Sequence, residues 1–182
     1  MIVNTIMSSV LAAAELPIAN GETRAMSFDK TPSGTRGSRA PTRSNPFTRF
    51  IGRIMIKFHR RSGDRFQGMD LLYLTTVGAK TGQKRQTPLA RFPDGDGSWL
   101  VVASLGGSAR NPSWYHNIAA HPDQVWIEVA GQQLRVTAEQ LDGEPREVAW
   151  QRIVESQPRY AGYQRKTDRV LPIIRLSPAQ NP

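Results

Sequence analysis

Residues 78–85 bring together the kinds of group that bind phosphate. Two glycines let the backbone turn tightly and expose its N–H groups, and Lys80, Lys84 and Arg85 supply positive charge. Thr81 adds a hydroxyl. This segment, the basic turn, is not a Walker loop, because the glycine spacing differs and no long helix follows. The pattern predicts a phosphate site, and an ordinary basic hairpin loop is the alternative.

Residues 104–117 form a second candidate site, in which a loop with two adjacent glycines leads into a predicted helix. Pro112 suits the start of that helix, so a ligand can approach both the bare backbone of residues 104–111 (the glycine-rich loop) and a helix N-terminus. Trp114 and Tyr115 offer flat surfaces beside this point. The alternative makes both residues ordinary core aromatics of a short helix.

Composition excludes several other kinds of site. The chain contains no cysteine, which rules out disulfides, thiolate nucleophiles and cysteine-ligated zinc. Among the three histidines, His116 and His121 are five residues apart beside a proline, a spacing that does not match the i, i+4 helical metal pair. Because no acidic cluster accompanies them, we predict no metal site.

The net charge of +9 is concentrated in one part of the chain. Residues 46–93 hold ten Lys/Arg and two Asp/Glu, an excess of +8, whereas residues 1–45 have an excess of +2 and residues 94–182 of −1. Such a block typically faces nucleic acid, an acidic membrane or a phosphorylated cofactor, and a solvated basic face is the alternative. We expect no specific nucleic-acid partner, since the aromatic residues cluster on one predicted helix instead of alternating along a strand face.

Short alternating and β-branched segments predict a chain built mainly of antiparallel strands with few helices. Such strands favour a closed or partly closed barrel, because closure removes exposed sheet edges. The predicted strands cover residues 71–77, 86–92, 99–104, 125–129, 134–139 and 170–176, and the predicted helices cover residues 112–120 and 143–155.

The N-terminal quarter differs in composition from the rest. Residues 1–43 are expected to be a disordered extension, and residues 44–180 a single domain. Within that domain, residues 46–61 repeat apolar side chains at helical spacing, with cations on the other faces. They predict an amphipathic helix that packs on the domain or, as the alternative, lies on an anionic membrane surface. We expect a cytoplasmic protein, located at the inner face of the membrane if this helix binds lipid.

Three runs of residues together resemble a known family. The runs LTTVGAKTGQKRQTPL, ASLGGSARNPSWYHNIAAHP and YAGYQRKTDRVLPIIRL are similar, in order and spacing, to the deazaflavin (coenzyme F420)-dependent nitroreductase family of actinobacteria. The resemblance covers roughly residues 45–178. It implies a mainly β fold, a flavin-binding-like split β-barrel with an N-terminal amphipathic helix and short peripheral helices.

The resemblance also implies roles for individual residues. The implied catalytic residues are Ser104, Tyr160 and Tyr163, with the tyrosines on the substrate side. The implied contacts to coenzyme F420 are Ala79, Lys80, Thr81, Arg85, Gln86, Thr87, Pro88, Leu89, Val102, Ala103, Ser104, Ser113, Trp114, Tyr115, His116, Asn117 and Tyr160. Two positions depart from the family pattern: Leu105 replaces a lysine, and Gln157 replaces a pocket tyrosine.

The implied activity is hydride transfer from reduced coenzyme F420 to a quinone-like or nitroaromatic acceptor. In such a reaction the protein positions the cofactor, and a hydroxyl such as that of Ser104 or Tyr160 donates a hydrogen bond to the oxygen that becomes negative. The alternatives are a flavin mononucleotide enzyme on the same barrel and a protein that binds a cofactor or nucleic acid without turnover.

Overall fold

The computed structural model describes residues 28, 31–39, 65–66 and 68–179. The predicted amphipathic helix of residues 46–61, and with it the predicted membrane contact, lies outside the described residues. None of the helices within the described part of the chain has the length and hydrophobicity that a bilayer crossing requires.

Eight antiparallel strands form the body of the described chain. Their order in the sheet is β1-β2-β6-β7-β8-β5-β4, and β3 pairs with β2 outside this path. Within the described residues β3 hydrogen-bonds only to β2, so its other edge is open. The architecture is therefore a split β-barrel, which confirms the expected fold class. The strands are β1 (Arg65–Phe66), β2 (Met69–Val77), β3 (Lys84–Ala90), β4 (Phe92–Pro93), β5 (Trp99–Val102), β6 (Val125–Val129), β7 (Gln132–Gln140) and β8 (Ile173–Pro178).

Alternation along the strands produces two hydrophobic clusters, one inside the barrel and one outside. On β5, Val101 points into the barrel, whereas Leu100 and Val102 point to the outer layer. Helix α1 (Ser113–Ala120) covers the interior with its aromatic side chains. Burial of each large apolar side chain here contributes roughly 1.5–3 kcal/mol. The interior cluster includes Leu72, Leu74, Val101, Ala103, Trp114, Tyr115, Ile118, Ile127, Ile174 and Leu176.

The outer cluster lies under two helices, α2 (Gly143–Ser156) and α3 (Arg159–Gln164). An ion-pair network joins α2 to the barrel: the carboxylate of Asp94 is 2.6 Å from Arg152 and 2.6 Å from Arg175. Burial alone would raise the pKa of Asp94, but hydrogen bonds from the two guanidinium groups hold that pKa below its usual value.

Two of the differences between the predicted and the observed elements lie near the site. The final strand begins at Ile173, three residues later than predicted, because residues 169–172 form a connection in which Val170 is 63% exposed. Helix α3 was not predicted, since six residues after Pro158 are too few to show helical periodicity. Both differences matter for the site, because this region packs against the glycine-rich loop.

Residues 31–39 (the N-terminal strap) lie against the barrel, within the segment that was expected to be disordered. Ser38 forms a parallel bridge with Ser108, and Phe28 packs edge-to-face on Tyr115 at 5.3 Å between ring centroids. Long-range hydrogen bonds and an ion pair offset the conformational entropy that this polar stretch loses when it is ordered. Its composition does not reveal those partners. The rest of the expected extension, and the domain boundary at residue 44, stay predictions.

Candidate functional site

The basic turn connects β2 to β3 and is closed by its own backbone. The N–H groups of Thr81 and Gly82 donate to the carbonyl of Gly78, at 3.1 and 2.8 Å. Gly82 has φ +63°, a conformation that glycine adopts at little cost. Lys80 and Lys84 are exposed, and none of the ion pairs within the described residues involves either of them. The ammonium of Lys84 lies over the ring of Trp126, 4.3 Å from its centroid, so Lys80 is the better placed of the two to meet an anionic ligand.

Asn117 joins the basic turn to helix α1. Its amide oxygen accepts a hydrogen bond from the N–H of Ala79 at 3.1 Å, and its amide nitrogen donates to the hydroxyl of Thr76 at 3.0 Å. The side chain is 8% exposed, so both bonds are shielded from water. The structure therefore brings together the two segments that the sequence marked separately. Asn117 was predicted to contact the cofactor, and in the structure its side chain already makes two hydrogen bonds that position the basic turn.

Strand β3 presents two different faces. Arg85, Thr87 and Leu89 are half-buried, and Leu89 packs against the interior cluster. Gln86 and Pro88 are exposed on the opposite face. These five positions were all predicted to line the cofactor, yet the side chains of only one face can contact the same ligand.

The glycine-rich loop follows β5 in a left-handed turn. Leu105, Gly106 and Gly107 have φ values of +43°, +64° and +82°. At Gly107 an added Cβ atom would lie 2.4 Å from the carbonyl oxygen of Tyr163, so only glycine fits there. Helix α3 consequently packs directly against the turn, and the structure places the segment of Tyr163 beside that of Ser104.

Arg169 holds this loop from the inside and was not singled out from the sequence. Its guanidinium donates to the carbonyl oxygens of Ala103, Ser104 and Ser108 at 2.9, 2.8 and 2.7 Å, and to the side-chain oxygen of Asn111 at 2.8 Å. The residue is 6% exposed, and burial lowers the pKa of Arg169 to about 10. It stays charged at neutral pH. The signal in the sequence was an arginine directly before an apolar run.

Tyr160 lies in the outer cluster, with its ring edge-to-face against both Phe92 and Tyr163 at 5.5 Å between centroids. Burial raises the pKa of Tyr160 to about 12, so the phenol is neutral at physiological pH. A neutral phenol can donate a hydrogen bond, which is the role expected of it. Tyr163 is half-buried on the next turn of α3, with the ammonium of Lys166 5.8 Å from its ring centroid.

The other predicted contacts divide into exposed and buried side chains. On α1, Ser113 and His116 are exposed, whereas Trp114 and Tyr115 are buried in the interior cluster. Partial burial lowers the pKa of His116, although a hydrogen bond with the Asn111 backbone opposes this. Val102 and Ala103 are also buried and point to different clusters, so their side chains do not face the same side of the strand.

The N-terminal strap contacts the loop from another side. Ser38 donates from its N–H to the carbonyl of Gly107 at 2.9 Å and from its hydroxyl to that of Gly106 at 3.1 Å. Arg36 pairs with the carboxylate of Asp168 at 3.1 Å. This hydrogen-bonded pair lowers the pKa of Asp168 and raises that of Arg36. The sequence contains no motif that would have pointed to this contact.

A cleft of about 390 Å³ lies beside Arg169, between the β7–α2 connection and the strap. Gln140, Asp142 and Arg146 line it, together with Asn111. None of the predicted site residues does so. We place the candidate site at the basic turn and the glycine-rich loop, because the unpaired cations and the bare backbone lie there.

These groups fit a cofactor that carries phosphate and carboxylates. The basic turn offers exposed cations, and the loop offers backbone where a side chain would interfere. No group of three or more His, Asp or Glu residues within the described parts of the chain is placed to hold a metal ion. The fold and this site define the class of split-barrel proteins that bind flavin-like cofactors.

Comparison with known proteins identifies the family within that class. A family model described as F420H(2)-dependent quinone reductase matches residues 48–178, and the chain belongs to this family. The chain is 42% identical to the F420H(2)-dependent quinone reductase of Mycobacterium tuberculosis over 121 residues, which are 64% of this chain and 80% of that protein. The resemblance stated from three sequence runs is confirmed.

Solved structures agree with this assignment. The structure of an F420-H2 dependent reductase (FDR-A) is 42% identical and covers 59% of this chain and 93% of its own, with a TM-score of 0.53. A structure described as a domain-swapped dimer is 36% identical and covers 73% of this chain and 100% of its own, with a TM-score of 0.54.

Proposed function

We propose that this chain is an oxidoreductase in which reduced coenzyme F420 reduces a quinone-like acceptor. The observation that carries the proposal is the joining of the unpaired cations of the basic turn to the glycine-rich loop through Asn117. A cofactor with a flat ring, a phosphate and a carboxylate tail needs both kinds of surface side by side. Family membership supports the same cofactor and the same class of acceptor.

Lys80 and Arg85 bind the phosphate and the carboxylates of the cofactor tail in this proposal, with Thr81 as a hydroxyl donor. They are suited to this because Lys80 is exposed and Arg85 is half-buried beside it, held at 3.1 Å by the side chain of Gln83. When bound, the reduced deazaflavin supplies two electrons and one hydrogen nucleus, and one further proton completes the reduction of a quinone to a hydroquinone.

Ser104 and Tyr160 donate hydrogen bonds to the acceptor oxygen that becomes negative, and Tyr163 shapes the same side of the pocket. The Ser104 hydroxyl makes no hydrogen bond with any described residue, so it can serve a ligand. Tyr160 acts as a neutral donor, because burial holds the pKa of its phenol at about 12. We extend the proposal to nitroaromatic acceptors and to membrane contact through residues 46–61.

A binding titration followed by an acceptor panel tests the proposal. Coenzyme F420 is titrated into the purified protein and its fluorescence is followed, and the reduced cofactor is then offered with quinones and with nitroaromatic compounds. We expect saturable binding and oxidation of the cofactor that depends on quinone. A yellow protein that takes hydride from a nicotinamide would favour a flavin mononucleotide enzyme, and salt-sensitive oligonucleotide binding without cofactor binding would favour a nucleic-acid protein.

A further inference from the structure

The turn after β5 has the backbone geometry of an anion-binding concavity. Ser104 has φ −74° and ψ −41°, in the right-handed helical region, and Leu105 follows with φ +43° in the left-handed region. A right-handed residue followed by a left-handed one directs successive N–H groups toward a common point, an arrangement called a nest. Here those N–H groups belong to Ser104, Leu105 and Gly106.

Arg169 fixes the direction in which these N–H groups point. One nitrogen of its guanidinium, Nη2, donates to the carbonyls of both Ala103 and Ser104, at 2.9 and 2.8 Å. In a trans peptide the carbonyl and the following N–H point in opposite directions. Because both carbonyls face Arg169, the N–H groups of Ser104 and Leu105 face away from it. The buried guanidinium therefore holds these two N–H groups in one orientation.

Among the described residues, these N–H groups lack the backbone acceptor that their neighbours have. The N–H of Ala103 donates to Pro172, that of Gly107 to Ser104 and that of Ser108 to Leu105. Across the described residues, the N–H groups of positions 104, 105 and 106 have no such acceptor. Gly106 is exposed, and Ser104 and Leu105 are half-buried, so the concavity can be reached from outside.

We infer that the backbone N–H groups of Ser104, Leu105 and Gly106 form an oxyanion site, held in shape by Arg169. The inference rests on the proposed function and names the part of that site that stabilises a negatively charged oxygen. Such an oxygen comes from one of two sources: a phosphate or carboxylate of the cofactor, or the acceptor oxygen that becomes negative on reduction and then takes up a proton. Backbone donors do not depend on the side chain at position 105, where this chain has leucine.

The decisive comparison is between two substitutions of Ser104. Ser104→Ala removes the hydroxyl and keeps the N–H, whereas Ser104→Pro removes both. Proline fits this position, because its ring fixes φ near −65° and Ser104 has φ −74°. Leu105→Gly is the matched control, since it keeps every N–H and suits the positive φ. Thermal unfolding and circular dichroism establish that each variant is folded.

The two sources of the oxygen give different results. If the site binds the cofactor, Ser104→Pro raises the Kd for coenzyme F420 at least tenfold above the value for Ser104→Ala. If the site binds the acceptor oxygen, the Kd is unchanged between these variants and kcat falls roughly 100-fold further in Ser104→Pro. Equal Kd and equal kcat in the two variants, with an active wild type, would overturn the oxyanion site and leave the proposed function standing.

Substitutions of Arg169 provide an independent test in case the Ser104→Pro variant does not fold. Arg169→Lys keeps the charge but cannot reproduce the fork that reaches both carbonyls, and Arg169→Gln removes the charge. Both should move the same parameter, Kd or kcat, that Ser104→Pro moves, with the smaller change in Arg169→Lys. A loss of stability alone, with the Kd and kcat of the folded fraction unchanged, would contradict the positioning role. A wild-type protein that does not bind coenzyme F420 would overturn the proposed function and this site together.

Discussion

The basic turn and the glycine-rich loop serve the same candidate site, but they are built in opposite ways. The turn presents exposed cations on side chains and is tied to the rest of the protein mainly through Asn117. The loop presents backbone groups, and its shape depends on positive φ values and on the buried guanidinium of Arg169. In the turn, ligand binding and stability should therefore be separable. In the loop they should change together.

Gly107→Ala should produce the largest loss of stability in either region. The added Cβ atom would lie 2.4 Å from the carbonyl oxygen of Tyr163 at a φ of +82°, which costs about 3 kcal/mol through overlap and strain. Gly106→Ala is the control, because it has open space and suffers only the left-handed strain of about 1 kcal/mol. Urea unfolding measures both. Equal losses would mean that contact with α3 does not shape the loop.

Removing the cations of the basic turn should weaken cofactor binding without affecting stability. We expect the double variant Lys80→Ala, Arg85→Ala to raise the Kd for coenzyme F420 roughly 100-fold, with a smaller effect at high salt. Arg65→Ala is the control for the single variant Lys80→Ala, because each removes one positive charge and Arg65 lies beside Asp70 at the opposite end of β2. Fluorescence titration gives the Kd. If Arg65→Ala weakens binding as much as Lys80→Ala does, net charge and not the turn attracts the cofactor.

Asn117 is where the two regions meet, so its variants test whether they act together. Asn117→Ala leaves the Ala79 N–H and the Thr76 hydroxyl without partners, which should lower the free energy of unfolding by about 2 kcal/mol and weaken cofactor binding. Asn117→Asp still accepts from the Ala79 N–H, and the Thr76 hydroxyl can turn to donate to it, but the variant adds a negative charge beside the anion site. It should keep most of the stability and still weaken binding. Unimpaired binding in both variants would show that the halves work separately.

Tyr160 of helix α3, which packs against the glycine-rich loop, should make the stability of the protein depend on pH. Because burial raises the pKa of Tyr160 to about 12 in the folded state, its contribution to stability is complete below pH 10 and is lost as the pH rises toward 12. This loss is about 3 kcal/mol at most. Tyr160→Phe should therefore lose less stability than the wild type as the pH rises above 10, as followed by urea unfolding at fixed pH. Parallel pH profiles would contradict this environment of the phenol.

The smallest effect is expected where the N-terminal strap meets the loop. Hydrogen bonds from Arg36 hold the pKa of Asp168 below its usual value, so this contact is present at neutral pH and is lost as the pH falls through that lowered pKa. Asp168→Asn should remove the ion pair at every pH. Faster hydrogen exchange at Ser38 with an unchanged unfolding midpoint is the expected result. A lower midpoint would mean that the strap supports the whole barrel.

Side-chain chemistry could be predicted from the sequence to a greater extent than backbone chemistry. The cations of the basic turn were visible as a charge block. The strand pattern predicted a closed or partly closed barrel, and the family resemblance added that the barrel is split. The contribution of Arg169 was not visible, because its partners are carbonyl oxygens that every residue carries. Its four hydrogen bonds reach back across about 60 positions, and such long-range contacts leave no periodic signal.

Burial was the second property that the sequence did not reveal. Trp114 and Tyr115 were predicted as cofactor contacts with core packing as the alternative, and the structure buries both rings. The distinction depends on which face of α1 meets the barrel. Eight residues with aromatic, polar and small side chains do not determine that face from periodicity alone. The strap was missed for a similar reason, since its few contacts depend on a surface formed elsewhere in the fold.

Within the described residues one edge of β3 is unpaired, and this has a consequence for solubility. A strand with an unpaired edge invites another chain to add to the sheet, and proteins prevent this with charged residues and proline. In β3 the edge carries Lys84, Arg85 and Pro88. The same positive charges that suit an anionic cofactor thus also discourage edge-to-edge aggregation. A substitution that removes them should weaken cofactor binding and promote aggregation.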